Sequence, residues 1–351
     1  MIPLGMVYAG TVHTGSGAFS GTGAAGGVPR PVFRLNRGDV KQPLEEVKPG
    51  TIASLKFATY QLSGEEQIDE SLRRARLADW ITSPENPLFW RSIVNRVWQY
   101  HFGRGIVDTP GDFGRMGATP SHAELLDFLA AEFRDGGGKL KSLHKLIVTS
   151  ATYRQSSVGN NKFALRDSGN NYLWRQNRRK LEAEAVRDSI LAVSGKLNTA
   201  IGGPSFQDFI ITHPEHSPHY EYDKADLNDT RLHRRSIYRF IVRSQPQPFL
   251  TTMDCADPSI RVDRRNESVS AAQALAQWNE SLVLVVAADF GKWIDKQSGE
   301  IPKKVIAAFE KCLTRKPDSD ELKSLTQFTE KYGTASLARL LLNLNEFSFV
   351  D

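Results

Sequence analysis

Three histidines stand at every third position of one short stretch: His213, His216 and His219. Glu215 and Glu221 lie within and just after this stretch. Imidazole and carboxylate groups are ligands that suit zinc, so the three histidines form a candidate metal site. Two prolines in the stretch exclude a regular helix, and in a polyproline conformation every third residue is about 9 Å from the last. The alternative is therefore an exposed loop that packs through its tyrosines and binds no metal.

A second group of candidate residues lies on an apolar helical stretch and in the glycine-rich turn after it. Arg96, His101 and Asp112 are polar groups in this region, and a buried charge must find a partner. In a structural interpretation, Arg96 or Arg104 pairs with Asp108 or Asp112 to hold the turn. In a functional interpretation, Arg96, His101 and Asp112 form the floor of an anion-binding or carbohydrate-binding cleft.

A third group belongs to a long irregular stretch, 206–269, that is rich in prolines and aromatic residues. Prolines lower the entropy cost of ordering a chain, and aromatic side chains are unfavourable when left in water. We therefore expect this stretch to be ordered and to fold back on the helices. Tyr220, Tyr222 and Arg261 are predicted to face the main cleft, because binding residues often lie on loops held by a rigid scaffold.

The chain has two cysteines, Cys255 and Cys312, which are far apart and outside any C-x-x-C-H pattern. Structural zinc and covalently bound haem are therefore not supported for this chain, and no cofactor is predicted in it. Cys255 has no histidine close in sequence, which favours a half-buried structural residue over a nucleophile. The motifs of serine hydrolases, phosphate-binding loops and zinc proteases do not occur.

Most of these candidate residues lie on or between stretches whose apolar residues have helical spacing. Asn86 followed by Pro87, and Thr119 followed by Pro120, have the spacing of a helix cap and a proline in the first turn. A helical face that begins near Leu181 is predicted to end at the glycine pair 202–203. Further helical stretches are predicted at 63–81, 143–150, 270–294, 305–313, 322–328 and 337–344, with a cap at Asp318 and Ser319 before the stretch 322–328.

These patterns predict a mainly α fold: a multi-helix orthogonal bundle with a long ordered irregular segment and a short extended N-terminal arm. The predicted domain organisation has four parts. Residues 1–50 form the glycine-rich and extended arm, 51–205 the helical core, 206–269 the irregular segment, and 270–351 the C-terminal helices that pack on the core.

Composition excludes several classes of protein. The 351 residues include 45 Lys and Arg and 40 Asp and Glu, and 45 − 40 gives a net charge of +5. That charge is spread along the chain, so no nucleic-acid partner is predicted. The longest apolar run, 282–290, is much shorter than the roughly 20 residues of a membrane span. The first residues show no basic region followed by an apolar core, so no signal peptide is visible in this sequence.

Several long motifs occur in an order typical of one family. They include RRARLADWITSPENPLFWRSIVNRVWQYHFGRGIV, TPSHAELLDFLAAEF, LKSLHKLIVTSATYRQSS, LWRQNRRKLEAEAVRDSIL, RRSIYRFIVRSQPQPFLTTMDCADPS and LLNLNEFSFVD. From about residue 29 onward the chain resembles the planctomycete-type domain of unknown function 1553. Proteins of that family are typically large and exported, with a cytochrome-c-like haem domain upstream of this one. The resemblance therefore implies a periplasmic or extracellular location and a haem-bearing domain or protein as partner.

Two hypotheses for function follow. The first is an exported helical domain that acts as a binding or assembly module in a larger haem-associated system processing environmental polymers, with polysaccharide as a partner. The alternative is an enzyme, a hydrolase or oxidoreductase on carbohydrate-like substrates, whose site lies between the helical core and residues 206–269.

Overall fold

The computed structural model describes residues 32–47, 50–52, 55, 70–213 and 217–350 of the chain. The glycine-rich part of the predicted arm, the predicted helix start at 63–69 and His216 lie outside these residues. The chain divides into two compact units, Met1–Ser150 and Ala151–Asp351. The segment 51–205, predicted as one helical core, spans the boundary between the units, and the four-part division of the chain stays a prediction.

The predicted mainly α architecture is confirmed. In the first unit a hairpin of β1 (Val32–Leu35) and β2 (Pro43–Val47) precedes α1 (Glu70–Ile81), α2 (Pro87–Phe102), α3 (Ala123–Asp135) and α4 (Leu140–Val148). The helices of the second unit are α5 (Asn161–Ala164), α6 (Ala183–Val193), α7 (Pro248–Thr252), α8 (Ala271–Asn279), α9 (Ser281–Asp295), α10 (Ile301–Leu313), α11 (Ser319–Tyr332) and α12 (Thr334–Leu342). Two antiparallel strand pairs accompany them: β3 (Arg179–Lys180) with β6 (Phe349–Val350), and β4 (Ile210–Thr212) with β5 (His219–Glu221).

Local capping explains where two of the helices begin. The side chain of Asn86 accepts hydrogen bonds from the main-chain N–H groups of Leu88 and Phe89, at 3.1 and 3.3 Å, and Pro87 occupies the first turn. At the start of α11, Asp318 and Glu321 form a reciprocal capping box. Both starts lie where the sequence pattern places them.

The predicted cap at Thr119 and Pro120 is wrong, because α3 begins at Ala123. The main-chain N–H of Ser121 donates a 2.9 Å hydrogen bond to the carbonyl oxygen of Ile106. This bond holds the cap-like dipeptide beside the preceding turn and outside the helix.

Two helix ends in the second unit also differ from the prediction. The helix predicted to reach residue 202 ends at Val193, since Gly195 adopts a left-handed conformation with φ of 77°. The single helix predicted over 270–294 is two helices, because the backbone of Glu280 is extended, with ψ of 131°. Apolar residues continue on both sides of that break, so periodicity alone does not reveal it.

Helix α2 is central to the first unit and packs against α3. Its buried face contains Asn95, which is fully buried and holds the following turn. The Asn95 carboxamide accepts from the Val107 N–H at 2.8 Å and donates to the Val107 carbonyl at 3.0 Å. A Cβ at Gly105 would lie 2.5 Å from that same carbonyl oxygen, so the turn requires glycine there.

In the second unit, α9 packs along α12 at the centre of one hydrophobic core. A Cβ at Gly291 would lie 2.8 Å from the Cα of Ala335, so the glycine permits the close approach of the two helices. The largest fully buried side chains of this core are Phe290, Phe309, Ile190, Leu191, Ile294, Leu337, Leu341 and Leu342. In the part of the chain that the structure describes, no helix is long and apolar enough to cross a membrane.

We predict that Asn95→Ala lowers the free energy of unfolding by about 1–3 kcal/mol, because it leaves the buried N–H and carbonyl of Val107 without partners. Chemical denaturation checks this value. Asn160→Gly, which removes an exposed cap side chain at the start of α5, is the comparison and costs only a few tenths of a kcal/mol. An Asn95→Ala protein as stable as the wild type would contradict the role assigned to this residue.

Candidate functional site

The predicted site residues of the first unit have mainly structural partners. Arg104 pairs with Asp108 at 2.9 Å, which is one of the pairs that the structural interpretation expects at the glycine-rich turn. The carboxylate of Asp112 is exposed and accepts a 2.7 Å hydrogen bond from the N–H of Gly114. Arg96 is half-buried on α2. His101 lies on the same helix, and its Nε2 is 2.8 Å from Nδ1 of His144.

The candidate metal ligands lie on a hairpin of the second unit. His213 follows β4, His219 begins β5, and both are exposed. His216 lies outside the described residues, so the three-histidine site stays a prediction. Among the residues that are described, no group of three His, Cys, Asp or Glu side chains is arranged to hold a metal ion.

Tyr220 and Tyr222 pack edge-on against the buried ring of Phe209, with ring centroids 5.1 and 5.5 Å away. The Tyr222 hydroxyl donates a 2.7 Å hydrogen bond to the carbonyl oxygen of Gln245, and burial raises the pKa of this phenol. The two tyrosines therefore attach the β4–β5 hairpin to Phe209 and Gln245, which belong to the same irregular segment. Arg261 lies on an exposed loop, where it pairs with Asp263 at 2.8 Å.

Beneath this hairpin lies a cluster of buried charges. Arg239 donates to Asp208 at 2.7 Å, and both side chains are largely buried. Arg187, on α6, donates to the main-chain carbonyl groups of Leu232 and Arg234, at 2.5 and 3.1 Å. These contacts attach the irregular segment to the helices.

None of the motifs in the sequence points to this cluster. A charged residue on the apolar face of α6, Arg187, is the signal that could have indicated it. A further carboxyl group, that of Glu280, lies where burial and the charge of Asp208 raise its pKa.

A second buried network surrounds Lys180. Its ammonium group donates to the carboxylate of Asp254 at 3.0 Å, to the carbonyl oxygen of Ser268 at 2.6 Å and to the amide oxygen of Gln273 at 3.0 Å. Burial opposes ionisation of Asp254, but hydrogen bonds from Lys180, Ser268 and Gln273 outweigh it and lower its pKa to about 2. Asp254 therefore stays charged, and it adopts a left-handed backbone conformation with φ of 69°.

The thiol of Cys255 is half-buried and lies 3.5 Å from the carboxylate of Glu184, which also accepts a 2.6 Å hydrogen bond from Arg265. Burial and the charge of Glu184 raise the pKa of Cys255 to about 11. A thiol in this state is protonated at neutral pH and is a poor nucleophile. The arrangement agrees with the structural interpretation of this residue.

The second unit also contains an open cleft of about 1000 Å³. Its walls come from β6, α6, the end of α10 and the residues on either side of β3. The residues that line it include Leu181, Val193, Phe349, Arg178 and Arg315. None of the three residues predicted to face the main cleft, Tyr220, Tyr222 and Arg261, is among those lining it.

Arg315 is held at the edge of the cleft by two carboxylates. Its guanidinium group is 2.8 Å from Glu321 and 2.6 Å from Glu346, and it also lies over the ring of Phe309. The cleft therefore presents ion-paired side chains next to apolar surface. The elements that carry them are held in place by helix packing and by the pairing of β3 with β6.

We predict that the stability contributed by Asp254 falls as the pH falls. Its pKa of about 2 in the folded chain is below the ordinary 3.8, so the contribution is complete above pH 3.8 and is lost as the pH falls through 2. The difference in unfolding free energy between wild type and Asp254→Asn, measured by denaturation at a series of pH values, should shrink over that range. Asp263→Asn, which changes an exposed carboxylate, should show little difference at any pH. A pH-independent difference for Asp254→Asn would contradict this assignment.

Comparison with known proteins places this architecture in a family. A family model described as PSD1, a protein of unknown function (DUF1553), matches residues 73–329. No curated protein and no solved structure matches the chain. The matched segment covers most of the chain and includes both buried charge networks of the second unit. The chain therefore belongs to the PSD1 (DUF1553) family, as its sequence motifs indicate.

Proposed function

We propose that this chain is a binding module of an exported, haem-associated system that processes environmental polymers, and that the cleft of the second unit holds a polysaccharide. The observation that carries the proposal is the cleft itself, which at about 1000 Å³ is as large as the sites that enclose sizeable ligands. Apolar side chains such as Val193 and Phe349 suit the faces of sugar rings. Ser189, Asn345 and Arg178 suit their hydroxyl groups.

The groups that line the cleft favour binding over catalysis. Glycoside hydrolysis commonly needs two carboxyl groups that flank the bond to be broken. Of the residues lining this described cleft, Glu346 alone is a carboxylate, and it is paired with Arg315. The thiol of Cys312, also in the lining, is a poor nucleophile because burial raises its pKa to about 12.

The proposed setting rests on the family resemblance. Proteins with these motifs typically carry a cytochrome-c-like domain upstream and are exported, so a haem-bearing domain or protein is the proposed partner. A periplasmic or extracellular module would meet polysaccharides of the surroundings directly.

A second candidate function, an enzyme acting on carbohydrate-like substrates, is favoured by one observation. Burial and the nearby charge of Asp208 raise the pKa of Glu280, and Asp208 is paired with Arg239. A carboxyl group whose pKa is raised by burial is the kind of group that serves as a general acid. If this is the site, Glu280→Gln abolishes release of reducing sugars, and unchanged release would exclude it.

We predict that filling the cleft abolishes polysaccharide binding. Ala192 is exposed and lines the cleft, so Ala192→Trp obstructs it without changing the core. Affinity electrophoresis of the purified chain in gels containing alginate, laminarin or xylan measures the retardation. We expect at least one polymer to retard the wild type and at least a tenfold weaker affinity for Ala192→Trp.

The matched control is Ala288→Trp, which places the same side chain at an exposed position on α9 that does not line the cleft. This variant should bind as the wild type does. Absence of retardation of the wild type by all three polymers, or equal retardation of wild type and Ala192→Trp, would overturn the proposal.

A further inference from the structure

The net charge of the chain is concentrated in residues 154–179, although the basic residues there form no long run in the sequence. This segment has six Lys and Arg residues and one acidic residue, Asp167, and 6 − 1 gives a net charge of +5. In the remaining chain, 45 − 6 leaves 39 basic residues and 40 − 1 leaves 39 acidic residues, which balance one another. We call residues 154–179 the basic segment. Its exposed cations are Arg154, Lys162, Arg166 and Arg178.

Hydrogen bonds make the basic segment one compact loop. The side chain of Gln155 donates to the carbonyl of Leu173 at 2.8 Å, and the N–H of Gln176 donates to the carbonyl of Ser156 at 3.0 Å. The two ends of the loop therefore lie side by side. Between them the buried Asn170 turns the chain in a left-handed conformation, with φ of 50°. The fold thus brings together basic residues that are separated in the sequence.

An aromatic pair joins the two sides of this loop. The rings of Phe163 and Trp174 are in contact, with centroids 5.8 Å apart. The guanidinium group of Arg175 lies 5.2 Å from the centre of the Trp174 ring. Lys162 precedes Phe163 on α5, and the N–H of Arg166 donates to the carbonyl of Phe163 at 3.0 Å. Three basic residues therefore flank one aromatic pair, and the fields of cations grouped in this way add to one another.

The basic segment continues into the cleft of the second unit. Arg178 belongs to the segment and also lines the cleft. The charged residues of the cleft lining are Arg178, Arg315 and Glu346, so the lining has two positive charges and one negative charge. The cleft and the loop beside it therefore attract ligands of the same sign, which is negative.

We propose that the polysaccharide bound by this chain is anionic, and that the basic segment binds its acidic groups while the cleft holds its sugar rings. This inference rests on the proposed function, because it assigns a charge to the polymer that occupies the cleft. Arginine binds an oxyanion through two parallel hydrogen bonds, and lysine attracts it as a point charge. A neutral polysaccharide gains neither of these interactions from the basic segment.

Affinity electrophoresis of the full chain, with pairs of polymers that differ in charge, tests this inference. One pair is alginate and its neutral propylene glycol ester, and the other is dextran sulfate and dextran. We expect at least one acidic polymer to bind about tenfold more tightly than its neutral partner. Its retardation of the chain should fall as the ionic strength rises, because salt screens exposed charges. The two pairs also distinguish carboxylate from sulfate as the group that is bound.

Two double variants test whether the basic segment is the source of this preference. Lys162→Gln with Arg166→Gln removes two exposed charges of the segment, and it should weaken binding of the acidic polymer about tenfold without changing binding of the neutral one. Lys303→Gln with Lys323→Gln removes the same charge from exposed positions outside the segment and should bind as the wild type does. Equal weakening by both double variants would contradict the role of the basic segment.

The remaining outcomes separate this inference from the proposed function. Equal retardation by the acidic and neutral polymers would overturn the inference and leave the proposed function in place. Absence of retardation by every polymer would overturn both. Single-stranded DNA of mixed sequence that retards the chain as strongly as the acidic polysaccharide would indicate a surface for nucleic acid, and it would also overturn the inference.

Discussion

The buried ammonium group of Lys180 is the constraint on which the attachment of residues 254–273 to β3 depends. A cation removed from water must be paired, and three acceptors surround this one, at positions 74, 88 and 93 residues further along the chain. The hydrogen bonds from Lys180 to these acceptors hold the turn at Asp254 and the start of α8 against β3. β3 also pairs with β6, and residues of β6 and the residues on either side of β3 line the cleft. Lys180 therefore helps to hold one wall of the cleft in place.

The same rule explains how the irregular segment is ordered with little regular secondary structure. Arg187 and Arg239 are buried, and they find their acceptors in the carboxylate of Asp208 and in main-chain carbonyl groups of the segment. Those hydrogen bonds take the place of the regular main-chain hydrogen bonds of a helix or sheet.

The sequence predicts features that depend on neighbouring residues, but it does not predict contacts between residues far apart in the chain. The caps at Asn86 and Asp318 act within three residues, so their residue types predict the helix starts. The break at Glu280 lies between two apolar stretches and has no local signal. Among the candidate site residues, Tyr220 and Tyr222 do come together, because they are neighbours on one strand end. The cleft could not be foreseen, because its lining comes from residues 178–193, residue 269 and residues 312–350, and the partners of Lys180 are equally remote.

Hydrogen exchange of wild type and Lys180→Met measures whether Lys180 holds these segments together. The substitution keeps an unbranched side chain and removes the ammonium group, which leaves Asp254 without its cation. We expect faster exchange of the amides at 178–181, 254–273 and 349–350, with the amides of α9 and α12 still protected, because the core that these helices form does not include Lys180. Unchanged exchange at 254–273, or an equal loss of protection across the whole second unit, would contradict it.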